Sequence, residues 1–219
     1  MNISTDTLSI LKNFSEINQN ILFRPGSTIN TISQAKNILA QADITEKFER
    51  EFGVYDLPEF LRTVEMFEKP SINFTDEDHL VIGEKDESVD YFFSDKSVIL
   101  STDKGINMPD KTVTFTLTKD VYTKLIKAYN TLSLPDVSVE GDGTNISIRT
   151  LDKKNDTSNK WKKIIGQSNV KFKAYFKAEN FKIIPDDYDV SISKQKISNF
   201  NSRNKSLQYW IALEPDSKF

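Results

Sequence analysis

The sequence predicts an α+β fold in two similar domains, residues 1–110 and 111–219, each with two helices packed on antiparallel sheets. Three observations carry this expectation. Four segments repeat apolar residues at helical spacing, shorter runs between them alternate and have turn-rich flanks, and the order of these elements recurs once along the chain.

The first helix is expected from about Thr5 to Asn18, where Leu8, Ile10, Leu11, Phe14 and Ile17 share one half of a helical wheel. Ser9, Lys12, Asn13 and Glu16 fall on its other face. A second helix is expected from about Asp56 to Glu68, with Leu57, Phe60, Leu61, Val64 and Phe67 on one side and Pro70 closing it. Strand-like runs follow at 71–74, 79–82 and 88–94, then at 113–117. The third helix runs from Lys119 to about Leu132 behind Thr118 as N-cap, grouping Val121, Tyr122, Leu125, Ile126, Tyr129 and Leu132. After another strand at 146–148, Lys171 to Lys177 alternates, with Phe172, Ala174 and Phe176 facing a core. A short fourth helix is expected from Lys177 to Ile184, ended by Pro185, before strands at 190–192 and 207–213.

The repeat is visible residue by residue. Shifted by 115, Ile10, Leu11, Phe14 and Ile17 fall on Leu125, Ile126, Tyr129 and Leu132. Shifted by 121, Tyr55 and Phe60 fall on Phe176 and Phe181, and a shift of 118 lays 91–93 over 209–211. Apolar residues recur everywhere, so the common order is what carries weight. The halves would meet near Thr102 to Asp110, where Gly105 and Pro109 suit an extended connector. A single α+β domain with accidental similarity is the alternative.

Composition narrows the chemistry. Hydrophobic residues make up 37% and aromatics 11% of the chain, including 15 Phe, which is a globular composition. There is no cysteine, which excludes disulfides, thiolate metal sites and cysteine nucleophiles. The one histidine, His79, follows the acidic run 75–78 and reads as a solvated loop residue. None of the seven glycines is followed by lysine, and Gly141-Asp142-Gly143 lacks the third glycine of a dinucleotide loop, so no cofactor is expected. The acidic clusters 76–78 and 186–189 read as solvated turns and not as metal sites. With no apolar run of membrane-spanning length and no leader-like start, the chain is expected in the cytoplasm. Charge is lopsided: residues 1–110 carry 10 basic and 20 acidic side chains, residues 111–219 carry 19 and 12. Opposite halves of this kind suit an acidic-to-basic contact between subunits, or a basic surface for nucleic acid, though both could be ordinary solvated faces.

Three segments resemble one family, the DNA polymerase sliding clamps of tailed bacteriophages. Leu8 to Asn18 resembles the family's first helix, Tyr55-Asp56-Leu57-Pro58-Glu59-Phe60-Leu61 its second, and Tyr209 to Ser217 its closing strand and tail. Their order, their distances from both termini and the chain length agree together, while 95–166 holds no such motif. The resemblance implies a non-enzymatic processivity factor. Three subunits would join head to tail into a ring of six similar domains, pseudo-six-fold, with helices lining the hole and sheets outside. Implied partners are duplex DNA without sequence preference, further copies in a homotrimer, the replicative polymerase and a separate ATP-dependent clamp loader, at the replication fork in the host cytoplasm.

In such a ring, lysines facing phosphates through water would centre the duplex. Lys119, Lys124, Lys127, Lys177 and Lys182 are the candidates in the second half, Lys12 and Arg62 in the first. Glu16 beside Lys12 and Glu59 near Arg62 depart from a simple basic lining and imply a field weighted to the second domain. The resemblance also implies a pocket for partner peptides near the connector and tail, with Ile106, Met108, Leu213 and Pro215 as walls. The basic run from Lys153 to Lys163 reads as a solvated loop. Two rival readings are a single-stranded nucleic-acid binder built on the Lys-aromatic run 171–177, and a viral structural protein without a nucleic-acid role.

Overall fold

The structure, a computed structural model, describes residues 1–74, 77–102 and 107–219. The chain divides into two compact units, Met1–Gly105 and Ile106–Phe219.

The first unit opens with α1 (Thr5–Ile17), whose Ser4 cap accepts the Thr7 N–H. This start is tied to the sheet, because the buried Glu46 carboxylate accepts the Ser4 N–H and the Thr7 hydroxyl. There follow β1 (Ile21–Phe23), β2 (Gly26–Ile32), β3 (Ile38–Phe48) and β4 (Phe52–Val54). Next come α2 (Leu57–Val64), β5 (Ser71–Asn73), β6 (His79–Glu84) and β7 (Glu87–Phe92). Every ladder in the unit is antiparallel: β1 with β4, β2 with β3, and β5-β6-β7 in order. The apolar stripe of α1, namely Ile10, Leu11, Phe14 and Ile17, is buried as its spacing predicts. Phe23 and Phe52 stack at 4.7 Å within the core, and Phe60 of α2 packs against Phe23.

Helix α2 is shorter than its sequence predicts. The N–H groups of Met66 and Phe67 reach back only three residues, to Thr63 and Val64, so the last turn tightens ahead of Pro70. Phe67 therefore lies beyond the helix and not on its buried face. His79 also departs from expectation. It opens β6, sits against the Phe92 ring at 5.0 Å and lies 2.8 Å from Asp78, so it is half-buried and not a solvated loop residue. That hydrogen bond holds the Asp78 carboxyl below its ordinary range.

The second unit comprises β8 (Val113–Leu117), α3 (Lys119–Leu132), β9 (Asp136–Asp142), β10 (Asn145–Leu151) and β11 (Trp161–Gln167). It continues with β12 (Lys171–Lys177), β13 (Tyr188–Ser193), β14 (Ile197–Ser202) and β15 (Leu207–Ala212). Two antiparallel sheets result, with strand orders β11-β10-β9-β12 and β15-β14-β13-β8. Thr118 caps α3 as expected, accepting the Val121 N–H. On β12 the alternation holds: Phe172, Ala174 and Phe176 are buried, while Lys171 and Lys173 are exposed.

The fourth helix expected from sequence is only a 3₁₀ turn, Ala178–Asn180. Lys177 belongs to β12, and the backbone beyond the turn is claimed by two tyrosines. The Tyr122 hydroxyl lies 2.9 Å from the carbonyls of both Phe181 and Ile183, and the Ile184 N–H donates to the Tyr209 hydroxyl. Groups that a helix would pair internally are thus satisfied by side chains of neighbouring elements. The segment still fills the core, since Phe181 packs edge-on against Phe176 and Phe200.

Two acidic or basic runs read as solvated loops are also ordered. Residues 161–163 of the basic run form the start of β11. Asp186 is buried, accepting from the Ser202 hydroxyl and the Asn204 amide. Burial opposes its ionisation, but these bonds prevail and hold its carboxyl below the ordinary range. Among the described residues, no helix is long and apolar enough to cross a membrane, and no group of three or more His, Cys, Asp or Glu could hold a metal ion.

Candidate DNA-facing helices and sheet edges

The polar faces of the helices differ in charge because their sequences do. On α1 the exposed charges are Asp6, Lys12 and Glu16; on α2 and its C-cap they are Glu59, Arg62 and Glu65. Lys12 forms an ion pair with Glu65, so one of the two cations on this face is neutralised by its neighbouring helix. Both partners are about half exposed, so the pair adds little to stability but does cancel the local field.

On α3 the exposed charges are Lys119, Asp120, Lys124 and Lys127. Lys124 bonds Asp120 one turn earlier at 3.0 Å, and Lys127 has no ion-pair partner among the described residues. The N–H of Lys119 is taken by Asp187, leaving its side chain exposed beside the helix start. Three lysines expected to face DNA are therefore gathered on one helix.

The other two candidates of this unit lie elsewhere. Lys177 is bound to the buried Asp136 at 3.0 Å and lies 3.7 Å from Glu214; these contacts raise its affinity for the proton and commit it to the structure. Lys182 is exposed in the segment after the 3₁₀ turn.

Of the expected pocket walls, Ile106 lies outside the described residues, and Met108 is half-buried. Leu213 is buried and Pro215 exposed. These two meet the same turn, because the Leu213 N–H donates to the Lys196 carbonyl while the Lys196 ammonium donates to the Pro215 carbonyl. Beyond them the tail lies along β12. The Ser217 hydroxyl accepts the Tyr175 N–H, and Lys218 exchanges two backbone hydrogen bonds with Lys173.

The residues of the open sheet edges are what sequence reading did not identify. In the first unit the outer edge of β5 is covered, because Met1 and Ile72 exchange hydrogen bonds. In the second unit the tail covers β12. Of the outer strands with no ladder partner on their far side among the described residues, β7 and β11 carry opposite charge. Strand β7 carries Glu87 and Asp90 with Glu84 and Asp86 just before it; β11 carries Lys162 and Lys163 after Lys160. Each also exposes a large apolar side chain, Phe92 at 62% and Ile164 at 57%. Tyr91, next to Phe92, is half-buried and its hydroxyl is pushed up to about 12 by burial and by Glu59 and Asp56. An exposed apolar residue on an open edge is a template for pairing unless a partner strand covers it. Part of the signal was present in Trp161 and Ile164 beside the lysines of 160–163, but the loop-rich stretch before them masked the strand.

Comparison with known proteins accords with this arrangement. Residues 4–101 match the family model "DNA polymerase processivity factor" and residues 114–215 the model "gp45 sliding clamp, C terminal". The chain is 30% identical to the sliding clamp of Vibrio phage KVP40, over 98% of this chain and 99% of that protein. It is 23% identical to the sliding clamp of Enterobacteria phage T4, over 99% and 98%. In fold it is similar to PCNA from Thermococcus kodakaraensis, at a TM-score of 0.71 with 11% identity over 98% and 99% of the two chains. The A. fulgidus PCNA solved with the C-terminal region of FEN-1 bound superposes at 0.70, with 13% identity over 95% of each. The two-unit α+β chain belongs to the sliding-clamp family, the DNA polymerase processivity factors.

Proposed function

We propose that three copies of this chain close head to tail into a ring around duplex DNA and tether the replicative polymerase, with no catalysis of their own. The observation that carries the reading is the opposite charge of two open sheet edges. An acidic β7 and a basic β11 at different places on one chain form a heterologous contact, which propagates from copy to copy and ends only if the rotation closes. Antiparallel pairing would supply backbone hydrogen bonds, Phe92 and Ile164 the apolar contact, and the opposite charges the register.

Retention by a closed ring needs little affinity, and tight contacts would slow sliding. Lys119, Lys124 and Lys127 of α3 would act as diffuse counter-charges for phosphates, joined by Lys182; Lys12 and Arg62 would contribute less, and Lys177 is held by Asp136. A separate ATP-dependent loader opens the ring, and polymerase and loader attach through short peptides at a pocket near Met108, Leu213 and Pro215, with Ile106 of the connector. The FEN-1 region bound to A. fulgidus PCNA supports peptide capture of this kind. The setting is the host cytoplasm at the replication fork. Burial of Phe172, Ala174 and Phe176 argues against the single-strand reading, since neither phenylalanine of that run is free to stack on bases and the Tyr175 ring lies 4.9 Å from the Lys153 ammonium.

The test is loading with the cognate loader and ATP onto nicked circular DNA. The protein should stay bound through a gel-filtration column, leave when the DNA is linearised, and lengthen polymerase products. Equal retention on circular and linear DNA, or no effect on product length, would contradict the reading.

A further inference from the structure

The basic run that begins at Lys153 is used within the second unit in a way that ring closure does not require. Residues 214–217 form a turn, closed by the Ser217 N–H on the Glu214 carbonyl, with Pro215 exposed at its corner. The turn is fastened to β12, because the Glu214 N–H donates to the Tyr175 carbonyl and the Tyr175 N–H to the Ser217 hydroxyl. A surface turn with so few backbone bonds ordinarily opens easily. Here three lysines pin it.

Lys153 binds both carboxylate oxygens of Asp216 at 3.0 Å, lies 3.8 Å from Glu214 and sits 4.9 Å from the centre of the Tyr175 ring. Its side chain is only 17% exposed. Burial opposes ionisation of Asp216, but this ammonium prevails and holds the carboxyl below its ordinary range. Lys177 adds a second contact to Glu214 at 3.7 Å. Lys196 donates to the Pro215 carbonyl, and its own carbonyl accepts the Leu213 N–H. Lys153 and Lys177 share one anchor, since the buried Asp136 accepts from the Lys177 ammonium and from the Lys153 N–H. Strand register explains the meeting. Leu151, Asp136 and Lys177 stand side by side across β10, β9 and β12 on one face of the sheet, and Lys153 follows two residues after Leu151.

We propose that Lys153 is a positioning residue: with Lys177 and Lys196 it holds this turn so that Pro215 is presented, already ordered, as a wall for partner peptides. The inference rests on the peptide capture proposed above near Met108, Leu213 and Pro215. A wall fixed beforehand removes the entropy loss of ordering it when the peptide arrives, which raises affinity without any new contact. Lys153 itself need not touch the peptide. Ion pairs between partly exposed groups weaken in salt, so capture should be salt-sensitive even for a peptide without charge.

The probe is a dye-labelled peptide from the C-terminus of the cognate polymerase, titrated with the full chain and followed by anisotropy. Lys153→Met should weaken binding about fivefold or more. Lys153→Arg, whose guanidinium can still bind both oxygens of Asp216, should restore it to within about twofold. Amide hydrogen exchange at Tyr175 and Ser217 should quicken in Lys153→Met and return in Lys153→Arg, with the mass in solution unchanged in both. Unchanged exchange in Lys153→Met would overturn the pinning of the turn. Quickened exchange with unaltered affinity would overturn the positioning role. A wild type that binds no such peptide would remove the pocket itself and the inference with it, a failure told apart from the other two because it precedes any substitution.

Discussion

The two units share an element order but not a charge. In the first, the exposed face of α1 and α2 carries more acid than base and pairs Lys12 to Glu65, and the open edge β7 is acidic. In the second, α3 gathers three lysines against one aspartate, and the open edge β11 is basic. One repeated architecture thus has its halves polarised in two places at once. In the proposed ring the edges would use the difference for recognition between copies, where opposite signs must meet. On the same proposal the helices would use it for DNA, where the basic member would contribute most, so the contact should alternate around the ring and not run evenly along its wall.

The strongest way to break the comparison is at the edge. Ile164→Asp puts a charge where β11 should meet Phe92 of another copy, and should weaken association at least about 100-fold, leaving a folded monomer in sedimentation velocity. Next comes the contrast between helices. Reversing Lys119, Lys124 and Lys127 to Glu should cut loading on DNA about tenfold or more and flatten its salt dependence, with assembly intact. Reversing Lys12 and Arg62 should change loading about twofold or less, because that face is already acidic. An equal loss from both sets would erase the polarity.

Much of the core was legible because burial follows periodicity. The stripe Ile10, Leu11, Phe14 and Ile17, the Thr118 cap and the alternation of Phe172, Ala174 and Phe176 are local patterns, and local patterns survive into the fold. The second helix of the second unit was misread because the segment up to Ile184 ends at Pro185, as a helix would. What decides the backbone of Phe181 and Ile183 is the Tyr122 hydroxyl, 59 and 61 residues away in sequence. Lys177 was misassigned for the same reason, since its partner Asp136 lies on another strand. Edges are least legible of all: whether a strand has a neighbour depends on where Met1 and the tail lie, and no short window records that.

Smaller effects sharpen the comparison of helix starts. The α1 cap is reinforced by Glu46, whose ionisation burial opposes but bonds from Thr7 and Ser4 favour, so its carboxyl titrates below the ordinary range. A depressed carboxyl contributes stability at neutral pH that is lost as pH falls through its folded value. Glu46→Gln should therefore cost about 1–3 kcal/mol at pH 7 and flatten the decline of Tm below about pH 4.5. The α3 start has only its local hydroxyl and the Asp187 contact, and Thr118→Ala should cost about 1 kcal/mol with little pH dependence.

The most direct test is the mass in solution of four proteins measured by light scattering. The wild type should weigh three times 25.1 kDa, and Lys162→Glu with Lys163→Glu, or Glu87→Lys with Asp90→Lys, should each fall to 25.1 kDa. Combining all four substitutions in one chain restores opposite signs at every contact and should restore the trimer. A monomeric wild type, a trimer that ignores either reversal, or a combined variant that stays monomeric would contradict head-to-tail closure through these two edges.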